Sequence, residues 1–265
     1  MPEELTIDGA RGKVVVSKWP NDDARYLAVI AHGYGEHIGR YEHVAQALVD
    51  EGAVVYGPDH LGHGRSEGDP ALVPDMEEVV ADLHKVVKLA QGENPGLNMV
   101  LIGHSMGGII ATRYAQEHGE EVAALVLSGP AIGGNPGFEG LLAMDPIPEI
   151  PIDPAMLSRD PSVGEAYAVD PLVYHGPFKR ETLQALFGSV ATIAAGPTFT
   201  MPTLWIHGEE DPLAPLDVTR PVAERLGSQT RFESKIYPGA KHEVFNETNR
   251  DEVIGDVVRF IDFVV

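Results

Sequence analysis

The chain lacks cysteine, has few basic residues and contains no long apolar run. With no cysteine among its 265 residues, neither a disulfide bond nor a thiolate metal site can form. It contains 19 lysines and arginines but 40 aspartates and glutamates, which gives a formal net charge of −21. This charge argues against nucleic acid and against electrostatic docking on anionic lipid, because both need a basic surface. We therefore expect a neutral or apolar small molecule as the partner.

Two further kinds of segment are not found. Residues 1–20 hold charges and glycine but no apolar h-region, and no run approaches the length of a membrane span, so we expect a cytoplasmic protein without a signal peptide. Eleven histidines raise the question of a metal, and His60 with His63 has a suggestive spacing. Because no compact set of carboxylate or histidine ligands joins that pair, the sequence predicts no metal site and no cofactor.

The segment 98–107, Asn-Met-Val-Leu-Ile-Gly-His-Ser-Met-Gly, is the most informative part of the chain. An apolar strand ends in a glycine-flanked serine, and small and apolar residues at helical length follow. Such a strand–turn–helix lifts the Ser105 hydroxyl above the sheet edge, where the first helical amides also point. Ser105 is therefore the candidate nucleophile. The same G-x-S-x-G pattern occurs around Ser66, but polar residues precede it and Pro70 follows, which favours a loop.

A carboxylate and an imidazole follow two later predicted strands. Asp211 comes after the strand 201–208, and His242 comes after the strand 232–237. Serine, aspartate and histidine in this order are typical of an α/β-hydrolase triad, in which the imidazole is the base and the carboxylate holds its tautomer. Glu209 and Glu210 are alternatives for the acid. We prefer Asp211 because Pro212 and Pro215 brace the loop after it.

Backbone amides supply the fourth part of the candidate site. The apolar strand 27–31 ends in His32-Gly33-Tyr34-Gly35, where glycines permit a close approach to a substrate carbonyl. The N–H groups of Tyr34 and of Met106, directly after the nucleophile, are therefore the predicted oxyanion hole. The His32 side chain is interpreted as a hydrogen-bonding group of the turn, outside the chemistry.

Strands and helices alternate along the first half of the chain, which predicts an α/β fold with a mostly parallel central sheet flanked by helices. Predicted strands cover residues 14–19, 27–31, 53–57, 99–102, 123–127, 201–208 and 232–237, and predicted helices cover 41–51, 76–90, 107–117 and 247–263. The core of this fold is expected to comprise residues 1–129 and 201–265.

Residues 130–200 interrupt the alternation with many prolines and glycines and are predicted to form a cap, or lid, over the catalytic edge. Short helices are expected near 163–169 and 180–195. The cap is rich in aliphatic side chains: Leu141, Leu142, Met144, Ile147, Ile150, Ile152, Met156 and Leu157. These either pack the cap on its own domain or form an apolar tunnel or a surface that touches a membrane or micelle, and both readings stay open.

Taken with these residues, the chain resembles the monoacylglycerol lipases of the α/β-hydrolase superfamily, especially bacterial members. The resemblance runs nearly end to end. It is carried by the motifs at 32–37 with 40–41, 59–66, 103–108, 158–161, 166–167 with 170–172, and 238–247.

The resemblance implies hydrolysis of long-chain monoacylglycerols to fatty acid and glycerol, with Ser105, Asp211 and His242 as triad and the Tyr34 and Met106 amides as oxyanion donors. It also implies that polar side chains near the cap bind the glycerol head. The positions of interest are Glu36, Arg40, Glu165 and Tyr167.

The alternatives are a broader carboxylesterase or lysophospholipase, and a non-catalytic α/β-hydrolase scaffold that binds a ligand. Against the scaffold, all three triad members are present in the chain. A dehalogenase or epoxide hydrolase is disfavoured, because those enzymes generally carry a carboxylate at the position of Ser105.

Overall fold

A computed structural model describes residues 2–265 of the chain. Its centre is one eight-stranded sheet. The strands are β1 Glu3–Asp8, β2 Lys13–Trp19, β3 Tyr26–Ala31, β4 Ala53–Pro58, β5 Asn98–His104, β6 Ala124–Ser128, β7 Thr203–Gly208 and β8 Phe232–Tyr237. Their spatial order is β1-β2-β4-β3-β5-β6-β7-β8. Strands β1 and β2 pair antiparallel, and β2 also pairs antiparallel with β4, whereas all other neighbours are parallel. The predicted, mostly parallel α/β sheet is confirmed.

Helices cover both faces of this sheet. Along β3, Leu27 and Val29 belong to one hydrophobic cluster while Ala28 and Ile30 belong to another, because successive side chains of a strand point to opposite faces. Burial on both sides explains why β3 is apolar throughout, without polar alternation. The eight helices of the described residues are α1 Glu42–Asp50, α2 Met76–Glu93, α3 Met106–Glu117, α4 Pro136–Leu141, α5 Pro161–Val169, α6 Arg180–Ala195, α7 Leu216–Gly227 and α8 Arg250–Val264.

The two hydrophobic clusters divide the helices between the faces of the sheet. One cluster contains apolar side chains of α2, α3 and α7, and the other contains those of α1 and α8. This arrangement leaves the carboxyl ends of the parallel strands free at one edge. Side chains that follow β3, β5, β7 and β8 therefore meet there.

Three elements, β1, α4 and α7, were not predicted from the sequence, and two of these omissions have a simple explanation. Strand β1 is at the edge of the sheet and half exposed, so it has no continuous apolar run to reveal it. Helix α7 contains Pro221, which sequence analysis reads as a break. The predicted last helix, 247–263, begins later, at Arg250, because a short 3-10 turn and polar residues precede it.

Residues 130–200 connect β6 to β7 and contain α4, α5 and α6 with little other regular structure. Helix α6 packs against α3, so this segment is anchored on the helix that follows Ser105. Several of its apolar side chains face outward, with Ile150 at 62% and Val169 at 80% exposure. No helix within residues 2–265 combines the length and the apolar character needed to cross a bilayer.

Candidate active site

Ser105 occupies a sharp turn between β5 and α3. Its backbone has φ of 55° and ψ of −116°, and it is one of two non-glycine residues with positive φ in the described chain. A backbone of this kind costs on the order of 1–3 kcal/mol and persists only where surrounding contacts hold it. The Ser105 N–H donates to the Ser128 carbonyl, while the Ser105 carbonyl accepts from the N–H groups of Gly108 and Ala131.

Two glycines allow this turn because α3 runs very close to the sheet. A Cβ atom on Gly103 would lie 2.3 Å from the Gly107 carbonyl oxygen, and one on Gly107 would lie 2.0 Å from the Ala31 carbonyl oxygen. Real Cβ atoms do not approach so closely, so only glycine fits at either position. The second G-x-S-x-G serine has another role: the Ser66 hydroxyl bonds the Asp59 carbonyl and the Val15 N–H.

Asp211 and His242 form a buried hydrogen-bonded pair beyond the ends of β7 and β8. The Asp211 Oδ2 atom lies 2.8 Å from His242 Nδ1. Its other oxygen accepts from the backbone N–H groups of Leu213 and Ala214, at 2.8 and 2.9 Å. The rival carboxylates, Glu209 and Glu210, are exposed. Only Asp211 of the three therefore holds the imidazole.

Burial and charge act in opposite directions on this pair. Burial raises the pKa of Asp211, but the neighbouring imidazoles and the hydrogen bonds that it accepts produce a net lowering. Burial lowers the pKa of His242, yet the charge and hydrogen bond of Asp211 outweigh it and the net shift is upward. The pair thus consists of an ionised carboxylate and an imidazole that is a stronger base than a free histidine.

Ser105 and His242 line the same cavity. Within residues 2–265, the imidazole's side-chain hydrogen bond goes to Asp211 and none joins it to the Ser105 hydroxyl. Such hydrogen bonds are often long before substrate binds and tighten in the complex. Since Nδ1 is engaged by Asp211, Nε2 is the nitrogen available for a proton from the serine.

Two backbone amides are free beside Ser105. In the described part of the chain, the N–H groups of Tyr34 and Met106 donate to no acceptor. Gly33 places the first of them close by, since a Cβ at Gly33 would lie 3.2 Å from the Ser105 Cβ. As interpreted from the sequence, His32 braces this turn, with Nδ1 2.8 Å from the Gly33 carbonyl and Nε2 accepting from the His60 N–H.

The cavity above Ser105 has a volume of about 770 Å³, including space open to solvent, and two chemically different ends. At the polar end are Glu36, Arg40, Tyr167 and Glu243. The remainder of the wall is mainly apolar, and most of it comes from residues 130–200. These apolar residues are Ile109, Phe138, Ile152, Leu157, Phe178, Leu183, Leu186, Phe187, Val190 and Leu213.

The chain is similar to known proteins over most of its length. Residues 22–249 match the family described as Serine aminopeptidase, S33. The chain is 40% identical to the monoacylglycerol lipase of Mycolicibacterium smegmatis, over 94% of this chain and 92% of that protein. It is 35% identical to the monoglyceride lipase of Homo sapiens, over 86% and 78%.

The chain belongs to the monoacylglycerol lipase family. It is a carboxylic ester hydrolase with the α/β-hydrolase fold. Among solved structures, the monoacylglycerol lipase of Paleococcus ferrophilus superimposes with a TM-score of 0.81 at 26% identity, covering 94% of this chain and 98% of that one.

An ion-pair cluster forms the polar end of this hydrolase's cavity. Arg40 donates to Glu36 at 2.6 Å and in a bidentate fashion to Glu243 at 2.7 and 2.8 Å. Its guanidinium also lies 5.1 Å from the centre of the Tyr167 ring. Burial opposes ionisation of Glu36, but Arg40 above all, with nearby histidines and the Tyr41 hydroxyl, lowers the pKa of Glu36 to about 2.

Glu36 also braces the turn that follows β3. One of its oxygens accepts from the Gly33 N–H and from the Tyr41 hydroxyl, both at 2.6 Å. The same carboxylate therefore connects the polar end of the cavity to the loop that carries the Tyr34 amide.

The structure brings together three of the four residues that sequence analysis associated with the glycerol head. Glu36, Arg40 and Tyr167 line the cavity. Glu165 does not line the cavity. It lies on the exposed side of α5, because residues two positions apart in a helix, such as Glu165 and Tyr167, point to different faces. Sequence analysis missed Glu243, whose signal was its position directly after His242.

Two buried histidines next to the catalytic elements were also missed. The His104 ring centre lies 4.7 Å from that of His242, and its Nδ1 lies 3.0 Å from the Ser128 carbonyl oxygen. His207 Nε2 lies 2.8 Å from the Ala214 carbonyl oxygen and 3.4 Å from Asp211 Oδ2. Both rings pack against the Asp211–His242 pair and fix its position.

Proposed function

We propose that this hydrolase cleaves the ester bond of monoacylglycerols, releasing a fatty acid and glycerol, with Ser105 as nucleophile, His242 as base and Asp211 as the acid of the triad. One observation carries the proposal. A strained, glycine-flanked serine and a buried carboxylate–imidazole pair line one cavity that is polar at one end and apolar along the rest.

The chemistry follows from these positions. His242 Nε2 takes the Ser105 proton as the serine oxygen attacks the ester carbonyl, and the resulting imidazolium is stabilised by Asp211. The N–H groups of Tyr34 and Met106 stabilise the negative oxygen of the tetrahedral intermediate, and losing one such donor costs roughly a hundred- to a thousandfold in rate. His242 then gives the proton to the departing glycerol. A water molecule, activated by the same imidazole, hydrolyses the acyl-enzyme.

We assign the acyl chain to the apolar part of the cavity. Residues 130–200 supply most of that wall, so we propose that they are the cap of a core formed by residues 1–129 and 201–265. Burial of each CH₂ group stabilises the complex by about 0.8 kcal/mol. A long aliphatic chain therefore gains several kcal/mol here, whereas a short acyl group gains little.

The polar end suits a small neutral diol. Glu36 and Glu243 contribute two negative charges and Arg40 one positive charge, so the cluster carries a net charge of −1. Because three of the five Arg40 N–H donors already bind these carboxylates and the cluster is net negative, a phosphate would be repelled. This charge balance favours a monoacylglycerol over a lysophospholipid.

We also propose that the cap contacts the lipid phase that holds the substrate. Four of its apolar side chains are exposed: Met144, Ile150, Met156 and Val169. Exposed apolar side chains of this kind mark surfaces that contact membranes or other partners. Contact with the lipid phase would let a long acyl chain enter the cavity without first passing through water. The test is co-sedimentation with neutral monoacylglycerol-containing vesicles, which Ile150→Ser should weaken; equal sedimentation of both proteins contradicts this contact.

The function is tested by hydrolysis rates on monoolein, diolein, lysophosphatidylcholine and p-nitrophenyl butyrate. We expect the highest kcat/KM on monoolein. A strong preference for the short aryl ester would make the enzyme a broad carboxylesterase and leave the triad untouched.

The nucleophile is tested separately with a fluorophosphonate probe. The wild-type chain and Ser66→Ala should gain one covalent adduct, whereas Ser105→Ala should gain none. Labelling of Ser105→Ala would remove Ser105 from its proposed role, and failure of the wild type to react would favour a non-catalytic scaffold.

A further inference from the structure

A cluster of histidine and carboxylate side chains lies at the end of α3 that is remote from Ser105. His84 comes from α2, and His118 and Glu121 follow the last turn of α3. One ligand-type atom of each lies within 4.8 Å of the others, and all three residues are only partly buried. The 12 residues of α3, at about 1.5 Å per residue, separate this cluster from the turn that carries Ser105 by roughly 18 Å.

The two imidazoles are stacked face to face. Their ring centres lie 4.1 Å apart with an angle of 18° between the planes. His84 Nδ1 lies 3.9 Å from a Glu121 oxygen. Tetrahedral zinc ligands at about 2.0–2.1 Å from the metal are roughly 3.4 Å from one another. Because a shared metal must lie in the plane of both imidazoles, at least one of these stacked, partly exposed rings has to turn before all three side chains surround one cation.

A neighbouring hydroxyl orients two members of the cluster. Tyr114 Oη donates to Glu121 at 2.8 Å and lies 3.1 Å from His84 Nδ1. Because the Tyr114 hydroxyl contacts Nδ1 of His84, Nε2 is the nitrogen left for a metal, and partners on the other ring nitrogen fix the orientation of metal-bound histidines in known sites.

The electrostatic surroundings favour a cation with one exception. The carboxyl end of α3 carries the negative end of the helix dipole, and the whole chain has a net charge of −21. The exception is Lys88, whose Nζ lies 2.6 Å from the second Glu121 oxygen. This lysine occupies one Glu121 oxygen; the other oxygen faces His84, accepts from the Tyr114 hydroxyl and has a second lone pair for a metal.

We propose that His84, His118 and Glu121 bind a divalent transition metal, with Zn²⁺ as the preferred ion and water as the fourth ligand. Two imidazoles and a carboxylate are a ligand set that zinc accepts. The bound ion joins α2 to the end of α3, and so stabilises the helix whose first residue follows Ser105. The sequence-based expectation of no metal considered His60 and His63. The three ligands proposed here come from α2 and from the residues just after α3, and they meet only through packing.

The test is titration of the metal-free full-length protein with ZnCl₂, followed by isothermal calorimetry at pH 7.5. We expect one saturable site in the wild type. His118→Ala and Glu121→Gln should each weaken it at least tenfold, and His84→Ala should do the same. His175→Ala is the matched control, because His175 is an exposed histidine elsewhere, and it should bind as the wild type does.

Lys88→Ala gives a prediction of opposite sign. Removal of the competing ammonium frees Glu121, so zinc affinity should rise several-fold. A site that persists unchanged in the His84→Ala/His118→Ala double variant, or no saturable binding in the wild type, would overturn the proposal.

Thermal unfolding supplies a readout that does not depend on enzyme activity. Zinc at a hundred times its dissociation constant should raise the melting temperature of the wild type and of His175→Ala, since a ligand of the native state stabilises it. His118→Gln, which keeps a polar side chain of similar size, should show no such rise. An equal rise in both proteins would assign the zinc to another site.

Discussion

Asp211 Oδ2 accepts a hydrogen bond from His242 Nδ1 at 2.8 Å, and neither side chain is appreciably exposed. The two residues are 31 positions apart and follow neighbouring parallel strands. The Leu213 and Ala214 amides hold the other Asp211 oxygen and so fix the carboxylate. Asp211 therefore determines which nitrogen of His242 carries the proton, while His104 and His207 pack against the pair.

Asp211→Asn should lower kcat on monoolein by roughly ten-thousandfold, because an amide in this position stabilises the wrong tautomer of the imidazole. Steady-state kinetics on the purified variant measure the effect. Glu210→Gln is the matched control and should retain nearly full activity, since Glu210 is exposed. Near-normal turnover by Asp211→Asn would mean that another carboxylate is the acid.

Glu243→Gln should raise KM for monoolein more than it lowers kcat. Glu243 fixes Arg40 through two hydrogen bonds, and hydrogen bonds to charged groups are worth about 1.5–3 kcal/mol, or roughly ten- to a hundredfold in affinity. Glu165→Gln, on the exposed side of α5, should leave both constants unchanged. Equal effects of the two substitutions on KM would exclude a role for the Arg40 cluster in binding the head.

The protein should lose stability as the pH falls from about 6.5 towards 4. Burial lowers the pKa of His63 and His104 to about 4, below the ordinary value of 6.5. Between pH 6.5 and 4 the unfolded chain binds protons that the native state does not. The free energy of unfolding therefore decreases as the pH decreases, by up to about 3 kcal/mol per ring.

His63→Asn should flatten this dependence, because it removes one titrating ring and keeps an N–H donor for the Leu61 carbonyl. Urea unfolding at a series of pH values measures the slope. A slope identical to that of the wild type would show that His63 is not the group that titrates.

Gly107→Ala should destabilise the protein by about 1–3 kcal/mol or more. The added Cβ would lie 2.0 Å from the Ala31 carbonyl oxygen, so α3 would have to move away from the sheet. Gly92→Ala is the matched control. Gly92 is exposed in α2, and a Cβ there meets nothing within 4 Å. It should stabilise by about 0.5–1 kcal/mol. The midpoint of chemical unfolding distinguishes the two, and similar stability of both variants would refute the close approach of α3.

Local patterns along the chain were enough to predict the fold and the sharp turn at Ser105. The apolar segments 27–31 and 99–102 are strands because each is buried on both faces, and burial of that kind leaves a continuous apolar run in the sequence. Ser105 could be predicted as the nucleophile because glycines on both sides, a strand before and a helix after are all local features. By contrast, the half-exposed β1 has no such run and was missed.

Only the tertiary structure decided which polar side chains meet. Arg40 lies between Glu36 and Glu243, although more than 200 positions separate it from the second carboxylate. Glu165 and Tyr167 are two residues apart, yet only the tyrosine reaches the cavity. A strand or a turn is specified by neighbouring residues, whereas the partner of a buried charge depends on how distant elements pack, and packing is a property of the whole chain.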